Sequence, residues 1–117
     1  MAKFHHVNLG LVSDDLDAEM RFLVDVLGYR AVEVNELHRW FETDDGTQVH
    51  LSIDPDHRPA HRAHVAVEYG AELGGLEDRL NAAGVETQKS QKDGFPPIVI
   101  CCDPAGNRWE LRGEMAH

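Results

Sequence analysis

The chain has 117 residues, enough for one domain of ordinary size with its own core. Asp plus Glu number 21 against 11 Lys plus Arg, a formal charge of -10 that argues against a nucleic-acid backbone or an anionic membrane surface as the main partner. A hydrophobic fraction of 42% with 27% charged residues fits a soluble globular protein, and no apolar run approaches the ~18 residues of a transmembrane helix. Met1 leads into a polar-apolar mix without a signal-peptide core, so the expected location is cytoplasmic. Cys101 and Cys102 are adjacent and belong on opposite faces of a strand, which leaves two unpaired thiols. Eight histidines in so short a chain are unusual.

In chain order, residues 4–11 read as a strand, with Val7, Leu9 and Leu11 on one face and His6, Asn8 and Gly10 on the other. Ser13 offers a helix N-cap, Asp14, Asp15 and Asp17 suit the positive end, and Leu16, Met20, Leu23 and Leu27 recur at helical spacing up to Gly28. Strands follow over 29–34, 37–43 and 47–53, with Asp44-Asp45-Gly46 as a hairpin turn between the last two. Residues 54–62, with two prolines and no period, form a linker. The same order then returns. Residues 63–69 are a strand, with His64, Ala66 and Glu68 on one face and Val65, Val67 and Tyr69 on the other. Leu73, Leu76, Leu80 and Ala83 mark a helix ending at Gly84. Strands over 85–89, 97–102 and 108–112 complete the pattern, with 89–96 open to a loop reading and Asp103-Pro104-Ala105-Gly106-Asn107 as a turn.

The two halves match at a near-constant offset, the mark of a duplicated unit. His6 corresponds to His64, Gly28 to Gly84 and Gly46 to Gly106, at offsets of 58, 56 and 60. Four residues beyond the last two turn glycines stand His50 and Glu110. The expected fold is α+β: one domain of two βαβββ modules, module one 1–53, linker 54–62 and module two 63–117. Helices cover the apolar face, which leaves His6, His50, His64 and Glu110 on the concave face of a curved sheet.

Imidazole and carboxylate together are common ligands of divalent iron, manganese, nickel or zinc. Singly, a strand histidine is more often hydrogen-bonded or exposed, and a Glu between Arg108 and Arg112 more often half of an ion pair. Four such groups at repeat-equivalent positions on one face reverse that reading, because a convergent unpaired polar set is costly without a cation.

With these residues the chain resembles the vicinal oxygen chelate superfamily of glyoxalases, epimerases, extradiol dioxygenases, fosfomycin-resistance thiol transferases and bleomycin-binding proteins. The resemblance spans nearly the whole chain. It rests on His6 in Phe4-His5-His6-Val7, on His64 in Ala63-His64-Val65-Ala66-Val67, and on Glu110 in Asp103-Pro104-Ala105-Gly106-Asn107-Arg108-Trp109-Glu110-Leu111. It implies paired modules forming a cup, with His6, His64 and Glu110 holding one divalent metal. Fe(II) is favoured, with nickel, zinc or manganese as alternatives. A site of two neutral imidazoles and one carboxylate then carries a charge of about +1, suited to an oxygen-rich anionic ligand. No other cofactor is implied. The partners implied are a small-molecule substrate and, because a cup takes two facing modules, a second copy of the chain in a homodimer, with no nucleic acid and no membrane.

His50 separates the members. In glyoxalases and epimerases the equivalent position carries a carboxylate or Gln, whereas in extradiol dioxygenases a nearby His is an acid-base group, so an extradiol-type dioxygenase with His50 as catalytic base is the first reading. Against it, Ile100 stands where the dioxygenases carry an aromatic hydroxyl. The alternatives are a glyoxalase- or epimerase-type isomerase or lyase with His50 as fourth ligand, and a fosfomycin-type thiol transferase with Lys89 and Lys92 near an anionic phosphonate. That family's basic C-terminal tail has no counterpart before His117. A drug-binding resistance protein, with an acidic cup for a cationic glycopeptide, is the rival of another class; such members generally lack the ligands. The other histidines are expected to be structural or solvated: His5 pointing away from His6, His57 and His61 in the linker, His38 at the cup mouth, His117 terminal. Tyr69, Trp40 and Trp109 are expected to pack.

Overall fold

The computed structural model describes residues 1–115, so His117 lies outside the described residues. The chain divides into two compact units, Met1–Arg58 and the remainder from Pro59, a boundary that falls inside the segment 54–62. The first unit holds β1 (His6–Leu11), a helical segment from Ser13 to Val26, β2 (Arg30–Val34), β3 (Arg39–Glu42) and β4 (Gln48–Ile53). The second holds β5 (His64–Gly70), a helix (Leu73–Ala82), β6 (Gln88–Ser90), β7 (Ile98–Cys102) and β8 (Arg108–Gly113). Each unit forms its own four-stranded sheet, in the orders β1-β4-β3-β2 and β5-β8-β7-β6. The pairs β1/β4 and β5/β8 are parallel and the others antiparallel. This is an α+β fold of two repeated modules. No helix among the described residues is long and apolar enough to cross a membrane.

The repeat extends to the hydrogen-bonding register. His6 pairs with Gln48 and Asn8 with His50 in the first unit; His64 pairs with Arg108 and Ala66 with Glu110 in the second. The turns repeat as well. Gly46 N–H donates to Thr43 C=O and Thr43 N–H to Thr47 C=O, just as Gly106 N–H donates to Asp103 C=O and Asp103 N–H to Asn107 C=O. Both turns need a left-handed residue, and Gly46 and Gly106 take φ of +87° and +89°. Since register decides which side chains share a face, equal registers place His6 and His50 in one sheet as His64 and Glu110 stand in the other.

Leu9, Leu11, Phe41, Val49 and Leu51 are buried from the first sheet, with Phe22, Leu23, Val26 and Leu27 from its helical segment. Val99, Trp109 and Leu111 are buried from the second sheet, with Leu73, Leu76 and Leu80. Each such side chain contributes about 1.5–3 kcal/mol on burial, so the apolar faces dictate which faces are left to polar residues.

The first helical segment departs from expectation. It opens as a 3-10 turn at Ser13–Asp15, becomes α-helical at Leu16–Arg21 and ends in a π-type turn at Phe22–Val26. Ser13 does not cap it: the turn is closed by Asp15 N–H on Val12 C=O, and no side-chain cap bond forms. The π-type turn, with Leu27 N–H on Phe22 C=O, lets Phe22, Leu23, Val26 and Leu27 all be buried, a wider set than a 3.6-residue stripe selects. Glu19, fully buried on the same segment, carries no apolar signal. β6 is also shorter and later than 85–89, because Gly84 takes φ of +74° and the chain joins β7 only at Gln88.

Candidate functional site

In the first unit, residues with register partners across three strands build one polar face. Trp40 pairs with His50, and His50 with Asn8. The His6 and His50 rings stack at 3.9 Å and 14°, and Trp40 stacks on His50 at 4.6 Å and 13°. His38 lies over Trp40 at 4.3 Å and reaches Glu33 at 3.5 Å. His50 Nε2–H donates to Gln48 Oε1 at 2.8 Å, which leaves the Nδ1 lone pair as the basic position. Partial burial, and then the neighbouring His6, His5 and His38, hold the His50 pKa below its ordinary value. Burial and these neighbours favour the neutral imidazole, with Nδ1 as the atom that can accept a proton.

Two expectations fail in this unit. His5 does not point away from His6: their Nδ1 atoms are 2.9 Å apart and their rings meet edge to face at 5.1 Å. His5 precedes β1, so the alternation of strand side chains does not govern it, although its C=O still accepts from Gln48 N–H. Trp40 packs as expected, half-buried against His50, while β3 turns Phe41 inward. The second failure is His57, which is not solvated. It is half-buried with Nε2 shielded, and a Cβ on Gly10 would stand 2.8 Å from its Nδ1. His61 is exposed.

In the second unit, Cys102, Arg108 and His64 form one register row across β7, β8 and β5, and Gln88, Ile100, Glu110 and Ala66 form the next. Ile100 thus lies directly beside Glu110, an apolar neighbour where an aromatic hydroxyl would give a proton-handling one. His64 is exposed, and its Nδ1–H donates to Arg62 C=O at 3.0 Å. That bond sets the tautomer and leaves Nε2 free to ligate, the usual arrangement behind a metal-binding histidine. Glu110 takes Arg112 on one carboxylate oxygen at 3.1 Å and is half-buried. Imidazole and carboxylate with these outer contacts fit a divalent cation. Lys89 does not serve this face. It pairs in register with buried Val99 and forms an ion pair with Glu77 of the helix, so it stands on the helix side of the sheet. Cys101 is buried and Cys102 exposed, both unpaired.

Among the described residues, no three His, Cys, Asp or Glu side chains are gathered as a metal-ligand group.

A family model described as the Glyoxalase/Bleomycin resistance protein/Dioxygenase superfamily matches residues 3–111. Among solved structures, the fosfomycin resistance protein FosX from Listeria monocytogenes is similar, with a TM-score of 0.82 at 16% identity over 98% of this chain and 95% of that one. So is a FosX variant complexed with Mn(II) and 1S,2S-dihydroxypropylphosphonic acid, with a TM-score of 0.82 at 17% identity over 98% and 94%. Lactoylglutathione lyase from Agrobacterium tumefaciens gives 0.72 at 20% identity over 97% and 94%. At these identities the likeness is one of fold. No curated protein matches the sequence.

Proposed function

The chain belongs to the glyoxalase/bleomycin resistance protein/dioxygenase superfamily, and from that premise we propose that it is a metal-dependent cytoplasmic enzyme acting on a small molecule with two adjacent oxygens. Its ligands are His6, His64 and Glu110. The observation that carries the reading is the Nδ1–H bond from His64 to Arg62 C=O, which presents Nε2 as a ligand atom on the face that carries Glu110. His6 and His64 are the repeat-equivalent first-strand histidines of the two units, and Glu110 stands on the last strand of the second. His5 accepts from His6 Nδ1–H in this reading and leaves His6 Nε2 to ligate. A bound divalent metal, Fe(II) as first choice and Mn(II), Ni(II) or Zn(II) as alternatives, supplies Lewis acidity that makes a substrate hydroxyl easier to deprotonate. His50 Nδ1 accepts that proton; Gln48 holds the ring's tautomer and Trp40 holds its plane.

An ion held by His6, His64 and Glu110 would polarise the adjacent hydroxyls of a catechol, and with His50 as the base this makes extradiol-type dioxygenation the first reading. A second reading takes its support from the closeness of His50 to His6, whose rings stack at 3.9 Å: with His50 as a fourth residue that would hold the ion, proton transfer of the glyoxalase or epimerase type is the reading.

Metal analysis of untagged protein tests the centre. One divalent ion per chain is expected, lost in His64→Ala and Glu110→Ala; full occupancy in His64→Ala refutes the assignment. The reaction is read from oxygen uptake after anaerobic Fe(II) loading with a panel of catechols. The expected rate falls about 10²–10⁴-fold in His50→Ala. Turnover of a hemithioacetal with no oxygen consumption moves the assignment to the second reading. Tight binding of a bleomycin-like glycopeptide, unchanged by chelator, places the protein among drug-binding members instead.

A further inference from the structure

The second unit carries an open pocket of about 770 Å³, lined by Val85, Thr87, Ile100, Cys102 and Arg108 among others. Arg108, Cys102 and Ile100 share the sheet face of His64 and Glu110: Arg108 is the register partner of His64, and Ile100 that of Glu110. The pocket thus takes in the register neighbours of the two proposed ligands of this unit, while His64 and Glu110 themselves lie outside its lining. The two arginines of β8 differ. Arg112 is neutralised by Glu110 at 3.1 Å, whereas half-buried Arg108 has no ion pair among the described residues. Two carboxylates border the pocket. Asp103 has both oxygens engaged, by the Asn107 N–H and the Trp109 indole. Glu86 is exposed. An unspent guanidinium in a recess of a chain with net charge -10 marks the local place for an anion.

The geometry points to a carboxylate-bearing substrate: Arg108 takes the carboxylate in its two-pronged fork, Val85 and Ile100 take the apolar body, and the adjacent oxygens reach toward His64 and Glu110. The position of those oxygens rests on the metal-site reading above; the carboxylate position does not. A planar guanidinium can pair with both oxygens of a carboxylate, which the point charge of a lysine does not do.

Calorimetric binding of matched probes tests it. On Mn(II)-loaded protein, 3,4-dihydroxybenzoate is expected to bind at least 10-fold tighter than catechol. On metal-free protein, benzoate is expected to bind at least 10-fold tighter than benzyl alcohol. Arg108→Gln should erase both preferences, and Arg108→Lys, which keeps the charge without the fork and guards against a folding artefact, should restore part of each. Acids that bind no tighter than their uncharged counterparts, or a preference that survives Arg108→Gln, overturn the proposal. If catechol binds the loaded protein and the acid gains nothing, the metal reading stands and this one falls. If benzoate shows its Arg108-dependent preference while no chelating probe responds to metal, this one stands and the metal reading falls.

Discussion

Asp103 offers a test of how the last strand is held. Its carboxylate is buried, with Oδ2 accepting from the fully buried Trp109 indole N–H at 2.9 Å and Oδ1 from the Asn107 backbone N–H at 2.8 Å. Asp103→Ala removes both acceptors. Removing the acceptor of a donor that water cannot reach costs about 1–3 kcal/mol, and the half-buried Asn107 bond adds about 1 kcal/mol. The expected loss is about 2–4 kcal/mol, a large part of a stability of about 5–15 kcal/mol. Urea unfolding followed by tryptophan emission should show a midpoint about 1–2 M lower, for an m-value of about 2 kcal/mol/M. Asp103→Asn keeps one acceptor oxygen and should fall between wild type and Asp103→Ala. The indole bond is isolated by a cycle with Trp109→Phe, where a coupling of about 1–2 kcal/mol is expected. If Asp103→Ala costs under 0.5 kcal/mol, or costs the same in the Trp109→Phe background, the carboxylate does not hold Trp109 and the reasoning is wrong.

Three other outcomes follow from the same structure. Burial pushes the Cys101 thiol up to about 12 while Cys102 is exposed, so native protein at pH 8 should give one rapidly titrated thiol with Ellman's reagent and two after denaturation; Cys102→Ser should abolish the native signal. The Asp45 carboxylate is lowered from 3.8 to about 2 chiefly by the Thr43 hydroxyl and then by the Thr47 N–H. A depressed folded-state pKa stabilises above the unfolded value, so its contribution is present above pH 3.8 and lost as pH falls through about 2. Asp45→Asn should flatten the stability profile in that window, and an unchanged acid limb would count against the hairpin bonds. Gly10→Ala sets a Cβ 2.8 Å from His57 Nδ1; a loss of about 1–2 kcal/mol in thermal unfolding is expected, relieved in Gly10→Ala/His57→Ala, and no relief would show that His57 does not pack there.

The sequence by itself determined the succession of elements along the chain, the duplicated module and the positions of His6, His50, His64 and Glu110 on their strands. Those features depend on local physics: period-two alternation, helical spacing, and turns such as Asp103-Pro104-Ala105-Gly106-Asn107 that place a left-handed glycine four residues before Glu110. Only the tertiary structure decided what each side chain meets. His5 turns onto His6 because it sits just outside the pleat. Trp40 packs on His50 because register sets the two side by side, while Phe41 takes the inward position. Lys89 is removed from the polar face by one residue of register, and Arg108 is brought beside His64 by the same rule. Alternation along one strand says which residues share a face, but the partner across the sheet is chosen by a strand dozens of residues away, and that choice decides which polar groups can act together.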